Sequence, residues 1–189
     1  MSDKIHFIAL VFVILLFSVV AFKISADESV ALEQAKSNII SLIQNSNYAE
    51  ANVQTQELST DLSLNPALLE ALFEIAEKYR ESNRYEEEKA VFQQIIKNYP
   101  DGPYASKAQL GFQRAEILSF IVSQNYQEAE KATDELVTDE LVTDFSGHPD
   151  LPDALYQTAE RYRWVHEFDR AEDLYQQIIQ DYQRMRIVV

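Results

Sequence analysis

Three histidines, His6, His148 and His166, and 31 acidic residues are what this chain offers for acid–base or metal chemistry. A zinc site needs Cys, His or carboxylate ligands at spacings that let them converge on one ion. Here the histidines are scattered, no HExxH pair occurs and Cys is absent. The missing Cys also removes disulfides, thiolate nucleophiles and a lipid-bearing Cys behind a leader. No glycine-rich phosphate loop and no GxSxG elbow is present, so neither phosphoryl cradling nor the strained-turn serine is on offer. Adjacent carboxylates such as Glu86 and Glu87 become an acid–base pair only inside a cleft that raises one of them. On a helix they read as a solvated face. A net charge of −15 with no basic patch repels nucleic-acid phosphates. The expectation is a non-enzymatic protein without cofactor or metal that takes protein rather than nucleic-acid partners.

Whatever positions these residues is helical. Three Gly, five Pro and long stretches rich in Ala, Leu, Glu, Gln and Lys favour helices over strands, and the expected class is all-α. Ile5 to Phe22, "IHFIALVFVILLFSVVAF", is apolar apart from His6 and Ser18 and is flanked by Lys4 and Lys23. Eighteen residues at about 1.5 Å each span roughly 27 Å, close to a bilayer's hydrocarbon core. Residues 1–26 are therefore expected to be an uncleaved transmembrane anchor, with 27–189 as one exported, extracytoplasmic domain. A cleaved signal peptide, with "ISA" before Asp27 as the site, is the alternative and leaves that domain secreted or periplasmic.

That domain repeats itself. Tyr85 heads "YEEEKAVFQQIIKNYP" and Phe168 heads "FDRAEDLYQQIIQDYQ". Both place an aromatic at offset 7, an Ile pair at offsets 10 and 11 and Tyr at offset 14, one apolar helical stripe. The preceding segments, "ALFEIAEKYRESNRY" and "ALYQTAERYRWVHEF", also match, so each unit is a helical hairpin. Weaker copies begin at Tyr48, with Ala51, Leu58 and Leu62, and at Tyr126, with Ala129, Leu136 and Val137. Header spacings are 37, 41 and 42 residues. Eight helices are predicted near 28–45, 48–62, 66–82, 85–98, 104–124, 126–143, 152–165 and 168–186, with the prolines at their junctions. The spacing of 41 calls for an extra turn in the fifth helix. The spacing of 42 contains a doubled DELVT, Asp134 to Thr138 and Asp139 to Thr143, read as a tandem duplication that lengthens the sixth.

Residues Leu72, Ile75, Ala76, Tyr79, Tyr85, Phe92 and Pro100 resemble the tetratricopeptide repeat, as do Leu155, Ala159, Tyr162, Phe168, Ala171 and Tyr175. Glu88 stands where Ala is usual, Thr158 replaces an apolar residue and Gln183 replaces Pro. "NYPDGPYASKA" is similar to a variant in exported bacterial cell-envelope repeat proteins, including those acting with outer-membrane assembly and Tol-Pal systems. The resemblance implies a solenoid of about four hairpins that binds a protein or peptide. It also implies a concave groove carried by Phe73, Glu77, Arg80, Glu81, Tyr156, Glu160, Arg163 and Trp164. In that groove Trp164 and Tyr156 would supply apolar contact, and Arg80 and Arg163 would pair with partner carboxylates. A structural or oligomeric subunit without a dedicated groove, using the "RMRIVV" end, is the alternative. "HPD" at His148 to Asp150 is similar to the J-domain tripeptide, but an acidic helix precedes it and the segment aligns with the repeat linker, so a turn is expected.

Overall fold

The computed structural model describes residues 28–61, 66–101, 103–137 and 148–187, and these fold into eight helices. They are α1 (28–44), α2 (Tyr48–Asp61), α3 (Pro66–Glu81), α4 (Tyr85–Asn98), α5 (Pro103–Val122), α6 (Tyr126–Val137), α7 (Leu151–Trp164) and α8 (Phe168–Ile187). No strand occurs among the described residues, and the all-α expectation holds. Among them no helix is long and apolar enough to cross a membrane. The predicted span at Ile5 to Phe22 lies outside the described residues.

The chain divides into two compact units, Met1–Ala71 and Leu72–Val189. In the first, α1 buries Leu32, Ile39 and Ile43 and α2 buries Ala51, Thr55 and Leu58, spacings that put each set on one helical face. The Thr55 hydroxyl donates to the Ala51 carbonyl at 2.7 Å, which meets its need inside the core. In the second unit α5 packs against α4, α6 and α7, and α7 packs against α8. Leu110, Ile117 and Ile121 of α5, Leu136 of α6, Leu155 and Tyr162 of α7 and Leu174 of α8 share one core.

All four hairpins close with the same turn. Ser46, Asn83, Gln124 and His166, each two residues before a header, have φ of 59°, 58°, 61° and 69°. The N–H of the next residue (Asn47, Arg84, Asn125, Glu167) donates to the carbonyl five back (Leu42, Tyr79, Phe120, Tyr162) at 2.8–2.9 Å. The N–H of the left-handed residue donates to the carbonyl three back (Ile43, Arg80, Ile121, Arg163) at 2.8–3.1 Å. This pair of bonds is a Schellman closure. The residue before each header then accepts the first bond of the next helix, from Ala51, Glu88, Ala129 or Ala171 at 3.0–3.2 Å. The weaker copies at Tyr48 and Tyr126 are thereby hairpins of the same build as the two strong ones. They differ at offset 7, where Thr55 and Thr133 replace Phe92 and Tyr175 and each donates to a carbonyl four residues back.

Boundaries shift by small amounts for identifiable reasons. The fifth helix runs Pro103–Val122 rather than 104–124, because residues 123–125 form the closing turn. Its 20 residues exceed the 16 of α3 by one helical turn, as the spacing of 41 requires. Pro66 and Pro103 open their helices and Pro152 lies in the first turn of α7, where a missing amide donor costs little. His148 to Asp150 form a turn: the Leu151 N–H donates to the His148 carbonyl at 3.1 Å, and the Asp150 N–H donates to His148 Nδ1 at 3.2 Å. Leu136, in the first DELVT copy, is 3% exposed. The second copy, Asp139 to Thr143, lies outside the described residues.

Candidate functional site

Helix α7 has two faces. Leu151, Ala154, Leu155, Thr158, Ala159 and Tyr162 are buried, and the Thr158 hydroxyl is satisfied by the Ala154 carbonyl at 3.0 Å. The other face carries Tyr156, Gln157, Glu160, Arg161 and Trp164, one stripe at i, i+1, i+4, i+5 and i+8. It confronts Arg80 and Glu81 at the end of α3, Asn83 in the closing turn and Tyr85 at the start of α4. Buried Leu118 of α5 lies beneath. Together these residues line an open groove of about 410 Å³. Trp164 is 69% exposed and Tyr156 52%. Large aromatics so exposed on a helical protein are candidates for partner contact rather than for the core.

The polar groups in the groove are held in place. Arg161 donates to Asn83 Oδ1, and Tyr85 OH donates to the same oxygen at 3.0 Å. The Arg161 guanidinium lies 5.2 Å from the Tyr85 ring centre and 5.0 Å from that of Trp164, a cation–π placement on both sides. Burial pushes Arg161 below the ordinary arginine value, although a guanidinium stays charged in any protein. Arg80 donates to Gln157 Oε1 across the groove and sits 3.5 Å from Glu77. Gln157 in turn donates to Asp153 at 2.6 Å. Glu160 accepts two bonds from Arg163, at 3.1 and 2.6 Å, and one from Tyr175 OH. The Arg163 bonds first, then the Tyr175 bond, hold Glu160 below the ordinary carboxylate range. Glu81 pairs with Lys78 at 2.9 Å.

Of the eight residues expected from the sequence, Arg80, Glu81, Tyr156, Glu160 and Trp164 come together in this groove. Phe73, Glu77 and Arg163 are not among its lining residues. Phe73 is half-buried, with Phe92 at 5.7 Å, Tyr104 at 6.4 Å and the Lys107 ammonium 5.2 Å from its ring. Glu77 stands behind Arg80, and Arg163 is occupied by Glu160 in a two-point ion pair. Sequence reading missed Asn83, Tyr85, Leu118, Gln157 and Arg161. Gln157 and Arg161 could have been found: they lie seven and three residues before Trp164, on its face of α7.

Residues 70–102 match the family model of the tetratricopeptide repeat. That stretch includes most of α3 and all of α4, one of the four hairpins that share the closing turn. No curated protein and no solved structure matches the chain. Fold and match define a chain of helical hairpins of which one, over residues 70–102, is similar to the tetratricopeptide repeat.

Proposed function

We propose that this chain is a non-enzymatic scaffold that takes a segment of a partner protein into the groove between α3, α5 and α7. The observation that carries the reading is the exposed pair Trp164 and Tyr156 beside a guanidinium, Arg161, already fixed by Asn83, Tyr85 and Trp164. Side chains immobilised before binding lose less entropy when a partner arrives. Among the described residues no carboxylate lies within ion-pair distance of Arg161, whereas Arg163 is taken by Glu160 and Arg80 is shared between Gln157 and Glu77. The cation offered to a partner is thus Arg161 rather than Arg163. The apolar stretch Ile5 to Phe22 supports a membrane-anchored scaffold of the cell envelope, with the repeat domain on the extracytoplasmic side.

The test is cross-linked pull-down of the full chain from membranes, comparing the native protein with Trp164→Ala and Arg161→Gln. Lost capture of the same partner band by both variants, with unchanged far-UV circular dichroism, is the expected result. Unchanged capture by both would remove the groove and leave the structural or oligomeric subunit. For the anchor, alkaline carbonate washing is expected to leave the chain in the membrane pellet, and its appearance in the supernatant would refute anchoring.

A further inference from the structure

The third residue after each header occupies one structural position in all four hairpins, the first donor to the turn before it. In three of them it is an alanine: Ala51 and Ala129 are 0% exposed and Ala171 is 2%. In the second hairpin it is Glu88, also 0% exposed. A carboxylate has been placed where the repeat otherwise puts a methyl group, between α4 and its neighbours. Arg114 of α5 donates to Glu88 Oε1 through one terminal nitrogen. The pairing is one-point: Glu88 Oε2 and Arg114 Nε are both buried and have no hydrogen-bond partner among the described residues. A buried ion pair recovers its desolvation cost only when its remaining lone pairs and protons are satisfied, and this one is half satisfied. The other charges acting on Glu88 are Arg80 and Glu77 of α3, which oppose one another. Just before its helix, Arg84 is engaged by Glu87, and on the helix Lys89 is engaged by Glu86 and by Glu116 of α5.

We propose that Glu88 and Arg114 form a proton-operated contact between α4 and α5, more stable when Glu88 is a neutral carboxylic acid, and that the state of this contact is felt at the groove through Arg80. A neutral acid keeps the bond from Arg114 while removing one charge from the dry interface. Burial pushes Glu88 up to about 7 against the opposing pull of Arg114, from an ordinary value of 4.5. The folded chain therefore holds this proton more tightly than the unfolded chain. Its contribution to stability is greatest below about pH 4.5 and falls as pH rises towards about 7,. Arg80 is at once a charge acting on Glu88 and the donor to Gln157 across the groove. Ionised Glu88 competes with Gln157 for that guanidinium, and protonation leaves it to the groove. Whatever draws on Arg80 must alter the proton affinity of Glu88 in return.

The experiment is a pH series from 5.5 to 8.5 on the purified full chain, the Glu88→Gln variant and the Arg114→Gln variant. It is followed by thermal unfolding and by the side-chain amide resonance of Gln157. The native chain should melt on the order of 5 °C higher at the acid end, its melting temperature falling as pH rises and levelling off above about pH 7, while the Gln157 amide should shift with its midpoint near pH 7. Glu88→Gln should abolish both transitions while melting no lower than the native chain at pH 8.5. Arg114→Gln should carry the midpoint to higher pH, because it removes the charge that holds Glu88 down. Parallel native and Glu88→Gln melting curves would overturn the proposal, as would a Glu88→Gln chain that melts lower or fails to fold at pH 8.5. A Gln157 amide indifferent to pH would refute the link to the groove.

Discussion

Gly111 of α5 is the position where packing of the second hairpin can be tested with one methyl group. A Cβ built on it would stand 2.5, 2.7 and 2.8 Å from Cζ, Cε2 and Cε1 of Phe92. Carbon atoms pack at roughly 3.5–4.0 Å, so the ring would have to retreat by about 1 Å. Phe92 is 3% exposed and has the Phe73 ring 5.7 Å away, which leaves little room for the retreat. Two effects compete in Gly111→Ala. Replacing a mid-helix glycine by alanine gains about 1 kcal/mol of helix propensity, while overfilling a packed core costs about 1–3 kcal/mol. Steric cost wins, and the expected net loss is about 1 kcal/mol in urea unfolding followed by circular dichroism. In a Phe92→Leu background the ring is gone and the sign reverses, so the same Gly111→Ala change gains up to about 1 kcal/mol. Stabilisation by Gly111→Ala in the native background would refute the packing of Phe92 on α5.

The left-handed turn residues predict an opposite pattern. Gln124 adopts φ of 61°, a conformation that costs a side-chain-bearing residue about 1 kcal/mol, so Gln124→Gly should raise the melting temperature. Asn83→Gly should gain less or lose, because Asn83 Oδ1 accepts from both Tyr85 and Arg161; equal gains at both positions would refute the bracing role of Asn83. Deleting Asp139 to Thr143 should leave the melting temperature nearly unchanged, since Leu136 of the first DELVT copy already fills the core position that Ile95 fills in the second hairpin. A large loss would show that the second copy is built into the core.

How much of this could be read from residue order depends on whether a feature belongs to one helix or to several. The headers Tyr48, Tyr85, Tyr126 and Phe168 were legible because an apolar stripe is set by spacing within a single segment, and each does open a helix. The closing turns were not, because a left-handed position usually announces itself as Gly and here it is Ser, Asn, Gln or His. Glu88 was visible as a departure from alanine, but its consequence depends on Arg114, 26 residues away on another helix.

In the groove, positions equivalent by repeat symmetry have different neighbours. Carrying equivalent positions from α3 to α7 pairs Arg80 with Arg163 and Lys78 with Arg161. Helix α3 enters the groove by its last turn and α7 by a whole face, so equivalent residues meet different surroundings. Lys78 reaches back to Glu81 on its own helix, whereas Arg161 crosses to Asn83 and lies against Tyr85 and Trp164. Arg80 spans the groove to Gln157 while Arg163 folds onto Glu160. In a repeat the shared positions build the stack, and sharing them is what makes the stack uniform. Divergence between copies is then where the groove departs from the uniform stack, in surroundings at Arg161 against Lys78 and in residue type at Trp164 against Glu81.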